Sequence, residues 1–481
     1  MPLLLLILAV VLGAGLMFYA QTSAFTGDEG FHLLAAQLID KGKRPYIDFM
    51  FPQTPLNAYW NALWLRLFGQ SWRVPHAVST VLVIGAALLT ADFVWRRAPL
   101  SNKWRAGAAV SAMLMVSLNV MVVEYGPLAQ AYGICLFLSV AAFRLTVRAV
   151  DQPAPFAAFG SGLCAGAAAA CSLLTATAAP VYLLWMLVYN RKGSKLGKLV
   201  AYCLGGAIPF LPALLLWLQG PRQTMFNLFQ YHLSFRTLYW PKTTQHDVEI
   251  VTSWIDSGQA LLLILLFIAG LLFIWRRSQW ESAVRREFYL CAWLALGIGV
   301  EVCTAHPTFA RYFLLMVPFV AILASIGLYT VSERIYRSES PVFPLVLLTF
   351  LFGLGLAKAL YQRAGDVRTW AVHEHLAKKM DEVAPRNAPV FADEEIYFVS
   401  GRTPPPGLEF SYSHRLKLPP ALAAQLHVLT QDQINQMAAG GKFAAVASCD
   451  DESIGAMHLD DIYAHKFEDD DCVVYWGFIH K

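Results

Sequence analysis

Eleven apolar runs fill most of the first 360 residues, and they decide most of what this chain can become. A helix that crosses a bilayer needs about 20 apolar residues. The runs are Leu3–Ala20, Pro75–Val94, Gly107–Val123, Leu128–Phe143, Phe156–Leu173, Ala176–Tyr189, Leu199–Leu218, Gln259–Trp275, Phe288–Cys303, Phe313–Thr330 and Val342–Leu360. The whole chain of 481 residues is 57% hydrophobic and only 15% charged, too little charge for a soluble protein. A polytopic α-helical membrane protein with about 11 transmembrane helices is expected. The first run lacks a basic leader and a small-residue cleavage site, so it reads as an anchor.

Basic residues set the orientation. Arg96, Arg97, Lys103 and Arg105 share one connection, and Arg144 and Arg148 follow on the same side. Arg191, Lys192, Lys195 and Lys198 come next, then Arg276, Arg277, Arg285 and Arg286, then Arg334 and Arg337. These alternate connections are expected to face the cytoplasm. The 21–74 loop, the 219–257 loop, the short His306–Tyr312 connection and the C-terminal tail then lie outside.

The tail differs in charge from what precedes it. Residues 366–481 carry 18 acidic and 10 basic side chains, net −8, against net +12 before them. No basic patch points to nucleic acid. Two domains are expected: a span module over residues 1–360, with the 21–74 loop and its interfacial helices, and a small acidic α/β domain over residues 366–481. In the tail, Trp370–Val383, Ile396–Val399 and Leu422–Met437 read as helices, and Ala388–Phe391, Phe443–Ala447 and Cys472–Trp476 as strands. Asp469-Asp470-Asp471 reads as a solvated acidic turn. Cys449 and Cys472 pair if the tail meets an oxidising compartment and stay as thiols if it does not.

The first loop holds the candidate chemistry. Gly27-Asp28 is a helix start, and Phe31, Leu34, Ala35 and Leu38 then recur at helical spacing opposite Gln37 and Lys41. Pro45, Pro52 and Pro55 interrupt the chain before an aromatic segment with Tyr59, Trp60, Trp64 and Phe68, suited to a membrane interface. The 219–257 loop repeats the theme with Phe226, Phe229, Tyr231, Phe235, Tyr239 and Trp240, and makes His232 and Arg236 candidates only through that loop. A carboxylate at the membrane edge can take a proton from a hydroxyl. Asp28 is the first candidate, with Glu29 beside it. Glu124, in the short turn Glu124-Tyr125-Gly126-Pro127, is a second acid at similar depth. Arg311-Tyr312 opposes the positive-inside trend and suits a lipid phosphate or an interface anchor. Lys43 and Arg44, with Lys41, suit phosphates or anionic headgroups. His32, Gln53 and His306 are candidates for lining a donor or acceptor cavity. Glu301, inside a span, is a costly ionisable group. No metal-ligand spacing and no phosphate-binding glycine loop is visible.

The run Thr26-Gly27-Asp28-Glu29-Gly30-Phe31-His32, then Pro45-Tyr46-Ile47-Asp48-Phe49, then Phe51-Pro52-Gln53-Thr54-Pro55-Leu56-Asn57, ending at Leu67-Phe68-Gly69, resembles the opening of the GT-C glycosyltransferases. These include the dolichyl-phosphate-mannose–protein mannosyltransferases and their bacterial relatives. The resemblance implies a GT-C fold and a polyprenyl-phosphate sugar as donor. It also implies an extracytoplasmic active site with Asp28 as base, and transfer with inversion. Aminoarabinose transferases carry an Arg three residues after the Asp and a Lys before a Pro-Pro pair. Here those places hold Phe31 and the Gln53-Thr54 region, which argues against aminoarabinose as the sugar.

The expected activity is transfer of a sugar to a hydroxyl of a glycolipid, polysaccharide or protein, in a bacterial inner membrane, with membrane lipids as further partners. The scheme requires no cofactor and is compatible with a divalent cation. A flippase for a lipid-linked sugar and a non-catalytic subunit of a glycan-assembly complex are the rival readings. A flippase predicts an internal repeat and paired ionisable groups deep in the spans.

Overall fold

The computed structural model describes residues 1–236, 242–276, 281–337, 340–366 and 368–479. Tyr239, Trp240 and Arg277 lie outside the described residues. Helices overlie all eleven apolar runs. Among the described residues, eight are long and apolar enough to cross a membrane: Pro2–Thr22, Arg73–Arg97, Tyr132–Asp151, Lys195–Gln219, Gly258–Arg276, Ser282–Thr304, Ala310–Arg334 and Val342–Ala364. Phe156–Cys171 and Leu173–Val188 are shorter apolar helices. The Gly107–Val123 run divides into helices Asn102–Ser117 and Val120–Tyr125, because Asn119 caps a new helix by accepting from the Val122 N–H at 3.3 Å.

The chain divides into two compact units. The first comprises residues 1–21, 76–211 and 242–365 and holds most of the apolar helices. Small residues let these helices approach closely. A methyl on Gly327 would sit 1.8 Å from the Leu266 carbonyl, and one on Gly270 would sit 2.0 Å from the Leu323 carbonyl. Ion pairs tie the helix ends that carry basic residues: Asp92 meets both Arg96 and Arg144 at 2.7 Å, and Arg97 meets Glu287 at 3.1 Å. Glu301 accepts from the Thr177 N–H at 3.0 Å and from the Thr177 hydroxyl. Thr177 is the residue before helix Ala178–Val188, so this intramembrane acid satisfies a helix start.

The second unit comprises residues 22–75, 212–241 and 366–481. Its contacts group the first loop with the tail. A four-stranded sheet runs in the order β1-β2-β4-β3, with β1 at Phe391–Ala392, β2 at Ala445–Ser448, β3 at Tyr463–Asp469 and β4 at Cys472–Phe478. β1 is parallel to β2, and the other pairings are antiparallel. Cys449 and Cys472 form a disulfide between the end of β2 and the start of β4. Val446, Val473 and Tyr475 point to one core with Ile434 and Phe443. Ala445, Ala447 and Val474 point to the other, with Leu376 and Met380 of helix Trp370–Val383. That second core also takes in Phe31, Leu34, Leu38, Phe49 and Phe51 from the first loop.

Three details depart from the sequence reading. The Leu422–Met437 stretch is two helices, Pro420–Gln425 and Gln431–Ala439. His427 adopts a left-handed conformation between them, and Thr430 with Gln433 forms a capping box that starts the second. β3 was not anticipated, because four of its seven residues are charged or histidine and its side chains are largely exposed. Helix Gly27–Asp40 is not a surface helix with one wet face: Gln37 is as buried as Leu34, and its amide donates to the Arg402 carbonyl at 2.8 Å.

Candidate active site

Thr26 is extended, and the chain turns into helix Gly27–Asp40 with the Glu29 N–H donating to the Thr26 carbonyl at 3.0 Å. Asp28 and Glu29 occupy the first turn, where acidic side chains suit the exposed N–H groups and the helix dipole. Asp28 is half-buried and Glu29 is fully buried. His32, one turn on, is buried between Phe31 and Phe51, with its Nδ1 at 3.5 Å from the Asn57 side-chain amide.

Three segments far apart in sequence surround this turn within the second unit. Phe410 of the tail packs edge-on to Phe31 at 5.4 Å and against Tyr231 at 6.2 Å. Tyr231 is buried on the helical segment Phe226–Phe235. Burial pushes its hydroxyl up to about 12; Arg236 and Arg415 pull it down and Asp28 pushes it up. Asp28, Arg236 and Arg415 therefore lie within electrostatic reach of one phenol. His232 donates from Nε2 to the Pro52 carbonyl at 2.8 Å, and burial followed by Arg236 lowers its imidazole to about 4. It is a neutral clamp on the Pro52-Gln53 turn at neutral pH. The Gln53 carbonyl in turn accepts from the buried Tyr46 hydroxyl.

The two basic candidates of the first loop are already engaged. Arg44 meets Asp48 through two parallel bonds of 2.8 and 2.9 Å and donates to the Gln219 side chain at 2.9 Å. Lys43 lies 3.6 Å from Glu409. Glu409 also accepts from the Gly407 N–H at 2.6 Å, while burial pushes its carboxyl up. Lys41 donates to the Gly401 carbonyl at 2.9 Å and to the Thr403 hydroxyl at 3.0 Å. The two lysines' contacts bind the first loop to the tail.

The remaining candidates lie in the first unit. Glu124 is on helix Val120–Tyr125, not in a turn, and is buried with Arg363 of helix Val342–Asp366 at 3.4 Å. Arg311 lies over the Phe309 ring at 4.4 Å and near the Tyr312 ring at 5.8 Å. Tyr312 is buried. His306 bonds through Nδ1 to Asp247, whose other oxygen accepts from the Thr308 N–H at 2.7 Å. The structure thus brings Asp28, Glu29, His32, Lys43, Arg44 and Gln53 into one unit, and Glu124, His306, Arg311 and Tyr312 into the other. Among the described residues, no three His, Cys, Asp or Glu side chains are grouped as metal ligands.

Arg236 stood out in the sequence only through its aromatic loop, and Arg415 and Phe410 had no signal. Phe410 meets Phe31 and Tyr231, and Arg236 and Arg415 act on Tyr231, across separations that no local pattern encodes.

No family model and no curated protein matches this chain. Solved structures do. ArnT from Cupriavidus metallidurans in the apo state matches with a TM-score of 0.68 at 13% identity, over 98% of this chain and 97% of that one. The same protein bound to undecaprenyl phosphate matches with a TM-score of 0.65 at 12% identity, with the same coverage. The Archaeoglobus fulgidus oligosaccharyltransferase, in complex with Zn and sulfate, matches with a TM-score of 0.53 at 14% identity, over 92% of this chain and 67% of that one. The shared architecture is the GT-C fold of polytopic membrane proteins, as the opening motif implied.

Proposed function

We propose that this protein is an integral membrane glycosyltransferase that moves a sugar from a polyprenyl phosphate to a hydroxyl acceptor on the extracytoplasmic face. The observation that carries this reading is the agreement in fold, over nearly the whole length, with ArnT, one of whose structures holds undecaprenyl phosphate. The placement of Asp28 in the half-buried first turn of helix Gly27–Asp40 supports it. The Cys449–Cys472 disulfide suits a tail in an oxidising compartment, and so favours the outer face.

In this scheme the Asp28 carboxylate takes the acceptor's hydroxyl proton as that oxygen attacks the anomeric carbon. The new glycosidic bond forms while the bond from the anomeric carbon to the phosphate oxygen breaks. The electron pair leaves with the polyprenyl phosphate, and the configuration inverts. Arg236 and Arg415, which like Asp28 act on Tyr231, are the cations proposed to stabilise that phosphate. Arg311, over the Phe309 ring in the first unit, is a separate candidate for binding a lipid phosphate. Lys43 and Arg44 instead hold Glu409 and Asp48. The scheme needs no cofactor, and transfer that survives EDTA is expected.

Purified protein in nanodiscs, offered a panel of labelled polyprenyl-phosphate sugars with glycolipid, polysaccharide and peptide acceptors, tests the reading. Transfer from at least one lipid-linked donor, and none from nucleotide sugars, is expected. Transport of the intact donor across vesicles without transfer would overturn it in favour of the flippase.

A further inference from the structure

Gly27 and Gly30 are three residues apart and share one face of the first helical turn. Asp28 and Glu29 lie between them in sequence. The face with the two glycines is filled by a tail residue. A methyl on Gly30 would sit 2.4 Å from the Glu395 carboxyl carbon and 2.5 Å from its Oε1, and a methyl on Gly27 would sit 3.8 Å from the same Oε1. Glu395 belongs to helix Glu394–Ser400 and is 5% exposed, so its carboxyl has little room to retreat. This contact is made by side-chain atoms against bare backbone, in the turn that carries the proposed base.

We infer that Glu395 is a positioning residue: its carboxyl, seated in the groove left by Gly27 and Gly30, fixes the first turn of helix Gly27–Asp40 and thereby the direction of Asp28. The inference rests on the transferase reading for its catalytic consequence and not for the contact itself.

The charge around the groove shows what kind of carboxyl this is. Glu394 and Asp393 act on Glu395 from its own end of the chain, and Glu29 acts on it from the facing helix. His373, on helix Trp370–Val383, is buried, engages the Thr369 carbonyl, and is pushed by burial down to about 4. Burial, then Glu394, Asp393 and Glu29, drive the Glu395 carboxyl well above the usual range. A protonated carboxyl can lie against backbone and beside Glu29 without adding a charge to the turn. The tail thus has a role that the sequence left open: it supplies the back wall of the base.

A mutant cycle tests this. Gly30→Ala, Glu395→Ala and the double variant are compared with wild type for kcat, KM and melting temperature. Gly30→Ala alone is expected to lower kcat roughly 100-fold by displacing the turn, with KM changed less than about two-fold. The double variant, where the added methyl has space, is expected to regain at least about tenfold of that loss. Glu395→Gln, which keeps the shape without a charge, is expected to stay within about two-fold of wild type in kcat. Additive losses in the double variant would overturn the inference, as would Glu395→Gln being as impaired as Glu395→Ala. If wild type transfers from no donor, the transferase reading falls by itself. The cycle is then read from melting temperatures: a double variant more stable than Gly30→Ala supports the seat, and an equal or lower value overturns it.

Discussion

Asp28 owes its setting to side chains that no local pattern announces. The first loop advertises Asp28 and Glu29 through a helix start, but Phe410, which packs on the neighbouring Phe31, and Tyr231, which packs on Phe410, arrive from two other segments. The same distance explains Glu301. An acid inside an apolar run looks functional in one dimension, yet its partner is Thr177, 124 positions earlier. Its engagement there gives it a structural role at the start of helix Ala178–Val188. The arginines separate by what already holds them. Arg44 is already engaged by Asp48 and Gln219, so Arg44→Gln should cost less than about threefold in kcat/KM. Arg236→Gln should cost about 10- to 100-fold, if it meets the departing phosphate. Steady-state kinetics on the two variants decides between them, and similar losses would return Arg44 to the site.

The tail's elements show which signals survive folding. Helix Trp370–Val383 was readable to the residue, because Trp370, Leu376, Ala377 and Met380 recur on one face, which also buries His373. β3 was missed because it is an edge strand, and edges carry charge instead of apolar alternation. The disulfide was an open alternative; it now joins the end of β2 to the start of β4, 23 residues apart in sequence. Replacing Cys449 and Cys472 with serine should destabilise the tail by about 3 kcal/mol, seen as a lower melting temperature that reductant does not lower further. Buried groups also give the second unit opposed pH responses. His373 and His414 are pushed by burial to about 4, so their contribution is present above about 6.5 and is lost as pH falls toward 4. Glu394 is pushed by burial up to about 7, so its contribution is present below its ordinary value and is lost as pH rises through 7. The two trends oppose each other where they overlap, between about pH 4.5 and 6.5. Glu394→Gln should therefore melt at a temperature that climbs more steeply with pH over that window than wild type's, and a parallel profile would contradict the assignment.

For the chain as a whole, the apolar runs and the opening motif were enough to anticipate a polytopic GT-C architecture, because membrane spans must satisfy their backbone within one segment. What they could not convey is how the first loop is bound. The sequence attaches residues 21–74 to the spans, whereas their contacts group them with the tail into one compact unit. Leu38, Tyr46 and Phe51 share a core with Met380, Tyr397 and Val474, pairings separated by more than 300 positions. Exposed Leu63, Leu67 and Phe68 on helix Leu56–Phe68 keep the apolar outer face that the aromatic segment suggested. The proposed chemistry therefore depends on the tail as much as on the loop that carries the motif. The most direct measurement compares wild type with Asp28→Asn in nanodiscs, using the labelled donor that wild type accepts. The account predicts that transfer falls at least about 1,000-fold while polyprenyl-phosphate binding and melting temperature stay within error of wild type. Transfer by Asp28→Asn at the wild-type rate would remove Asp28 from the mechanism and contradict the account.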